Sequence, residues 1–598
     1  MCGIIACIGK NTTKHILEGL RQLQNRGYDS AGLSLIYNNT WAGKKFASTN
    51  EKDSIELLEE YTYPESINGI GHTRWATHGC KNDINSHPHM SSDGTIMVVH
   101  NGIIENYKEL KKKLIDSGYV FVSETDTEVI SNLISYYYKI YNNVEEAINK
   151  SINELNGTWG LCIQCIDEPN TIYCTRRGSP LLIGICETFA IIASEQSGFC
   201  NKLNNYLEIE SDDICMVSII NNNIDVKKKK IYKTHIAQKN YVEELNERYW
   251  TLKEIKEQTD IVNRITNNGS RIINNEIIFG GLIKYKNEIK KCDNIILLGC
   301  GTSYYACCIG CNYLKTLTNL NTIQVFDGAN FTKEDIPRRG KCVFIFVSQS
   351  GETKDLQICS EILNDYIKIG IINNVDSTIA RMVDCGCYMN LGREVGVAST
   401  KSFTGQVLTL SLLSLWFVQL HKGKTHQHKN IINDLKKLPI QIEEIINNYQ
   451  YNHNRLNIIN NNCFILGKHN DEHIAKEAAL KMKEITYIHA EGYSSSALKH
   501  GPFALLNKDF PVILINSDDK YKTKNNNIYQ EIKSRNSNII TITNNIERGI
   551  NDIYVGTNKT YQCILNIIPL QLLCYNISIN MNINPDKPRN LAKVVSVE

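Results

Sequence analysis

Up to about residue 230 the apolar positions fall in short runs separated by turn residues, beginning with Ile4-Ile5-Ala6-Cys7-Ile8. That spacing predicts a sheet-rich α+β layer, with helices such as residues 127–141 between the strands. The run Lys227-Lys228-Lys229-Lys230 interrupts the pattern. We therefore expect a first domain over 2–230, a linker over 231–249, and a helix from Leu252 to Gln258. Beyond it the order apolar strand, polar turn, helix recurs, as a parallel sheet covered by helices requires. It also duplicates itself: Asn294-Ile295-Ile296-Leu297-Leu298-Gly299 matches Asn462-Cys463-Phe464-Ile465-Leu466-Gly467, and Val343 to Ser348 matches Val512 to Ser517. The two offsets agree within one residue, which predicts a tandem pair of doubly wound α/β domains over 250–430 and 431–598.

The 598 residues are too many for one core, and roughly three to five domains fit the usual size. Lys plus Arg number 65 against 63 Asp plus Glu, a net charge of +2, so no global field favours nucleic acid or an acidic membrane as partner. Small, locally recognised ligands fit better. The 21 cysteines are scattered and odd in number, which excludes a disulfide framework and implies a reducing compartment. Cys307, Cys308 and Cys311, like Cys162 and Cys165, have no second Cys or His pair at zinc-site spacing, so they read as small core residues and no metal is expected. The N-terminus has no secretory pattern, and no apolar stretch reads as reaching the ~20 residues that span a bilayer. A cytoplasmic protein with no membrane partner is expected.

Three regions carry candidate chemistry. Cys2, once Met1 is removed, would hold a thiol and a free α-amine on one residue, a nucleophile with its own base. The alternative is a buried small residue opening a strand. In the second half, Gly299-Cys300-Gly301-Thr302-Ser303 and Ser348-Gln349-Ser350-Gly351-Glu352-Thr353 follow predicted strands, where ligands sit in open α/β sheets. Hydroxyls and free N–H groups ahead of a helix make a phosphate cradle, and without a P-loop lysine a monophosphorylated metabolite suits them better than a triphosphate. Val397 to Ser402 forms a third polar loop. The second copy instead offers Lys481 and Glu484 on one helix face and His500 in a Gly-Pro turn, groups suited to proton transfer in a sugar isomerisation. Lys593 near the C-terminus is a Schiff-base candidate, although a tail lysine is normally solvent-facing.

Together with Arg26-Gly27-Tyr28-Asp29-Ser30, His72 to Gly79, His100-Asn101-Gly102, and Glu124-Thr125-Asp126-Thr127-Glu128, these motifs resemble the family of glutamine:fructose-6-phosphate aminotransferases (isomerising), the glucosamine-6-phosphate synthases, essentially end to end. The resemblance implies an α+β N-terminal nucleophile (αββα) glutaminase domain followed by two doubly wound sugar isomerase domains. It implies that glutamine nitrogen passes as channelled ammonia to fructose 6-phosphate, giving glucosamine 6-phosphate and glutamate at the entry to amino-sugar synthesis, with no cofactor. Cys2 would then be the nucleophile, and the Asn101 side chain with the Gly102 N–H the oxyanion hole. Arg74, Trp75, Thr77, His78 and Asp126 would bind glutamine, Arg74 at its α-carboxylate and Asp126 at its α-ammonium, with Trp75 also gating the ammonia passage. Thr302, Ser303, Ser348, Gln349, Ser350 and Thr353, with Val397 and Ser399 nearby, would hold the phosphosugar. Lys593 would form the Schiff base, His500 open the ring, and Glu484 shuttle the proton beside Lys481. A homodimer or larger homo-oligomer is implied. Ala497 departs from the family pattern, which carries glutamate there, and bears on how His500 is oriented.

Overall fold

In a computed structural model of the chain, which describes residues 2–49, 51–75, 79–227, 233–235, 245–375, 377–421, 426–449, 459, 461–545 and 551–594, the first apolar run becomes strand Gly3–Gly9, buried at every position. The chain divides into two units, Met1–Glu243 with Ala592–Val597, and Glu244–Leu591 with Glu598.

The first unit is built on two antiparallel sheets. In the eight-stranded sheet the order is Lys233–His235, Asn205–Glu208, Leu182–Ile185, Phe189–Ala193, Gly3–Gly9, Asn68–Arg74, Ser30–Tyr37, Thr40–Ala47. The six-stranded sheet runs Asn223–Lys227, Ile214–Ile220, Thr171–Arg177, Gly157–Cys165, Ile96–Ile104, His89–Met90. Because side chains alternate along a strand, Ile4, Ala6 and Ile8 enter one apolar cluster with Val99, Cys162 and Ile192 between the sheets. Ile5 and Cys7 point the other way, to Ile16, Leu20 and Leu23 of helix Thr12–Leu23. Ile96, Val98, Leu161 and Ile163 likewise meet helices Thr127–Tyr141 and Val144–Glu154. The result is the αββα order expected. Odd spacing puts Cys162 on the inter-sheet face and Cys165 on the helix face, so this pair does not share a side of its strand. Lys233–His235, expected within the linker, pairs instead with Asn205–Glu208 as a short polar edge strand, the form in which edges stay soluble.

The second unit holds two five-stranded parallel sheets of identical topology. One runs Thr322–Asp327, Asn294–Gly299, Cys342–Ser348, Ile367–Ile372, Cys385–Tyr388; the other runs His489–Ser494, Asn462–Gly467, Val512–Ile515, Ile539–Thr543, Ile553–Tyr554. The repeated strands of the sequence are the corresponding strands of these sheets. A single apolar cluster, from Ile255 to Ile577, runs through both. Two helices in it, Lys401–His421 and Gln562–Asn580, are long and apolar enough to cross a membrane, which corrects the expectation that no stretch reaches that length. Burial of 94% and 83% of their apolar windows gives the physical reason: a helix enclosed by sheets and other helices has no face that needs polar residues. Where Lys401–His421 crosses Thr302–Leu317 the approach is so close that a Cβ on Gly310 would lie 2.7 Å from Leu410 Cδ1. Leu410→Ala should open a cavity there and destabilise the second unit by about 2–5 kcal/mol. A urea midpoint equal to that of the parent chain would show that the crossing collapses to fill the space.

Candidate active sites

The first site is set by strand register. Gly3 pairs with Thr73 across the sheet, which carries Cys2 beside the end of strand Asn68–Arg74. Gly3 is required there, since a Cβ would fall 2.7 Å from both Leu23 Cβ and Thr73 Oγ1. The Trp75 N–H donates to Cys2 Sγ at 3.3 Å, and the Cys2 carbonyl accepts from Asn101 Nδ2 at 3.0 Å and Arg26 Nε at 3.2 Å. Burial pushes the Cys2 thiol above its usual value, while the Trp75 N–H and the Arg74 and Arg26 guanidinium groups act in the opposite direction.

A small cavity opens beside the thiol, and Arg74, Trp75, Gly102 and Asp126 line it together with Cys2. Gly102 has φ 139°, and a Cβ there would meet the Thr158 carbonyl at 2.0 Å, so only glycine fits. Asp126 precedes helix Thr127–Tyr141 and accepts the Ile104 N–H at 2.9 Å. Glu128, two residues on, holds the approach loop by accepting from Val122 N at 2.8 Å and Ser123 N at 2.7 Å. The Arg74 guanidinium is 3% exposed, and burial lowers its pKa against the pull of Cys2, Asp29 and Asp126. Its contacts to the Gly79 and Cys80 carbonyls are long, 3.4 and 3.5 Å. Thr77 and His78 lie outside the described residues.

The second site lies at the carboxyl ends of the parallel strands. Lys481 is 2% exposed, and its Nζ donates to Thr302 Oγ1 at 3.0 Å and to Glu484 Oε2 at 2.6 Å, with Glu477 Oε1 3.4 Å away. Thr302 donates in turn to Glu477 at 3.2 Å. Burial alone would lower the Lys481 pKa, but Glu477 when ionised, with Glu484, holds it above the usual value. Glu477 is fully buried, which raises its pKa to about 8 in spite of Lys481. It was missed in the sequence, although its position four residues before Lys481 puts both on one helix face.

In the neighbouring loop Ser348 Oγ accepts the Gly351 N–H at 2.9 Å and stands 3.2 Å from Thr353 Oγ1, while Ser350 Oγ accepts the Glu352 N–H at 3.1 Å. The Gln349 carbonyl accepts from Asn374 at 3.3 Å, and Ser303 Oγ accepts from Gln406 at 2.9 Å. Three carboxylates that sequence reasoning did not find shape the third loop. Glu254 accepts from Val395 N at 2.5 Å and Gly396 N at 3.2 Å, Glu394 from Thr400 N at 3.0 Å and Ser402 N at 3.1 Å, and Asp586 from Trp250 N and Thr251 N at 2.8 and 2.7 Å. The Asp586 carbonyl also takes the Val397 N–H at 3.2 Å, and Ser399 is half-buried beyond it. His500 is exposed at the end of the short helix Ser495–His500 and makes no hydrogen bond to the Lys481 group. Lys593 is half-buried and groups with the first unit, its N–H donating to the Asn25 carbonyl at 3.3 Å.

The profile described as a glutamine amidotransferase domain matches residues 72–201, and that described as an SIS domain matches 288–415 and 459–581. Fold and sites thus define an amidotransferase joined to a tandem SIS pair. The chain is 39% identical to the "Probable glutamine--fructose-6-phosphate aminotransferase (isomerizing)" of Acanthamoeba polyphaga mimivirus and 36% identical to the glutamine--fructose-6-phosphate aminotransferase (isomerizing) of Caldanaerobacter subterraneus subsp. tengcongensis, each over the whole of both chains. A solved C-terminal domain of glucosamine-fructose-6-phosphate aminotransferase from Francisella tularensis superposes with a TM-score of 0.52 at 26% identity, over 57% of this chain and 99% of that one. The chain belongs to the family of isomerizing glutamine–fructose-6-phosphate aminotransferases. The fold class and the family expected from the motifs both hold.

Glu477 keeps its proton to about pH 8 in the folded chain, but only to about 4.3 when unfolded. Between those values the folded state binds the extra proton, so stability falls as pH rises. Glu477→Gln keeps an acceptor for Thr302 and removes the ionisation. Its urea midpoint should therefore fall less than the parent's between about pH 5 and pH 8, and parallel curves would mean that Glu477 is already ionised in the folded protein.

Proposed function

We propose that this chain hydrolyses glutamine at Cys2 and delivers the nitrogen, as enclosed ammonia, to fructose 6-phosphate, yielding glutamate and glucosamine 6-phosphate. The observation that carries the glutaminase half is the single cavity lined by Cys2, Arg74, Gly102 and Asp126. Removal of Met1 would free the Cys2 α-amine to take the thiol proton. The thiolate attacks the amide carbon, and the Asn101 Nδ2–H and Gly102 N–H stabilise the tetrahedral oxyanion. Collapse expels ammonia and leaves a thioester, which water converts to glutamate. Arg74 pairs with the substrate α-carboxylate and Asp126 with its α-ammonium, because a guanidinium fork and a carboxylate suit those groups. Trp75 closes this site and gates the route of ammonia, and the family resemblance assigns Thr77 and His78 to glutamine binding.

The hydroxyls of Thr302, Ser303, Ser348, Ser350 and Thr353 and the amide of Gln349 would bind the phosphosugar, with Val397 and Ser399 at its edge. Their present local hydrogen bonds are of the kind a phosphate oxygen replaces at a helix N-terminus. His500 opens the ring, Lys593 forms an imine at C2, ammonia exchanges for the lysine amine, and Glu484 moves a proton from C1 to C2 with Lys481 beside it. The Lys481–Glu484 contact of 2.6 Å supports that last assignment, since it fixes the position of the Glu484 carboxylate. The family resemblance supports a homodimer or larger assembly.

Cys2→Ala should lose glutamine-dependent formation of glucosamine 6-phosphate completely and keep the ammonia-dependent reaction. Glutamine-dependent turnover at the parent rate would refute the nucleophile.

A further inference from the structure

Behind the proposed oxyanion hole lie four buried histidines, His72, His87, His89 and His100, none more than 5% exposed. The His72 and His87 rings are 4.0 Å apart and the His87 and His89 rings 4.7 Å. Their hydrogen bonds determine the position of every relevant proton. His72 Nε2 is 2.9 Å from the His100 carbonyl and 3.1 Å from Asn101 Oδ1. A carbonyl only accepts, so Nε2 carries the hydrogen, and the Asn101 atom facing it must be the carboxamide oxygen. The other end of that carboxamide faces the Cys2 carbonyl at 3.0 Å, again an acceptor, so it must be the NH2 group. Two independent carbonyls thus fix one orientation of Asn101.

The ring that enforces it is itself held. His100 Nε2 faces the Thr158 carbonyl at 3.3 Å and so carries the hydrogen; its Nδ1 therefore accepts from Thr127 Oγ1 at 3.0 Å. Thr127 Oγ1, having spent its hydrogen, accepts from His87 Nε2 at 2.9 Å. His72 Nδ1 and His87 Nδ1 are left as bare lone pairs, which agrees with both being buried without a partner among the described residues. Burial also lowers the His72 pKa to about 3, which keeps the ring neutral.

We propose that His72 is a positioning residue of the glutaminase reaction: its Nε2–H pins the Asn101 carboxamide oxygen, turning the NH2 toward Cys2 and the developing oxyanion. Without it only the Cys2 carbonyl holds the amide, which rotates more readily to present an oxygen, an acceptor, to a negative charge. This rests on the reading of Asn101 as an oxyanion donor. Such a donor acts in the transition state, so its loss should lower kcat with little change in KM for glutamine.

A double-mutant cycle tests this in the full-length chain, with glutamine hydrolysis as the readout and ammonia-dependent synthesis as the check on folding. His72→Phe, which keeps the ring and removes the donor, should lower kcat on the order of 10- to 100-fold with KM within about twofold. In an Asn101→Ala background the same substitution should cost nothing further. His72→Gln, whose amide can donate, should recover part of the rate. If His72→Phe does not fold, His72→Asn, polar but too short to reach Asn101, carries the same cycle. Losses that multiply in the double variant, or an unchanged kcat in the single one, would overturn the inference. An Asn101→Ala variant with full kcat would instead remove the oxyanion reading on which it rests.

Discussion

The pairing of Gly3 with Thr73 is the constraint on which the first unit's site depends. Strand Gly3–Gly9 is hydrogen-bonded on both sides, to Asn68–Arg74 and to Phe189–Ala193, and buried on both faces. A slip of one residue would turn Ile4, Ala6 and Ile8 out of the inter-sheet core, so the register is held by several buried side chains at once. Cys2, one residue before the strand, inherits that precision. The Trp75 N–H reaches the thiol because Trp75 follows Arg74, the end of the neighbouring strand, and Asn101 reaches the Cys2 carbonyl because Ile96–Ile104 belongs to the facing sheet. The αββα packing is therefore what brings Cys2, Gly102 and the charged Arg74 and Asp126 to one small cavity.

The second unit solves the same problem with a different device. Its two sheets share a strand order, yet the copies carry different side chains: hydroxyls follow the strands of the first, and Glu477, Lys481 and Glu484 lie on helix Asn470–Thr486 of the second. Contacts between copies join them, since Thr302 of the first is hydrogen-bonded to both Glu477 and Lys481 of the second. Burying a lysine between two carboxylates is costly unless every partner is in place. Here the triad is complete, and it holds Glu484 at the edge of the site while Glu477 stays underneath. The buried carboxylates Glu254 and Glu394 and the Asp586 side chain hold neighbouring backbone in the same way, by accepting N–H groups that an irregular loop or a helix start would otherwise bury unpaired.

Much of this was legible in the chain. The apolar alternation at Ile4 to Ile8, the helix over residues 127–141 and the duplicated strands are periodic signals, and the structure reproduces them. The motifs around Cys2, Arg74, Gly102 and Asp126 placed four parts of one cavity. Side-chain to backbone contacts were not legible, because they have no period: Asp586 caps a helix more than 300 residues earlier, and nothing near it in the chain announces this. His72 reads as one more residue of a strand until the carbonyl opposite its ring is known. The two long apolar helices were missed because scattered Ser, Thr and Gln residues break the run, and only the structure shows those residues buried inside a core.

The central claim is that strand register makes Cys2 the atom on which glutamine is opened. Rapid quenching of the enzyme in acid during turnover with glutamine, followed by peptide mass spectrometry, tests it directly. The account predicts a γ-glutamyl thioester on Cys2, at the start of a chain that has lost Met1. A glutamyl adduct on another cysteine, such as the exposed Cys80, with Cys2 unmodified, would contradict it.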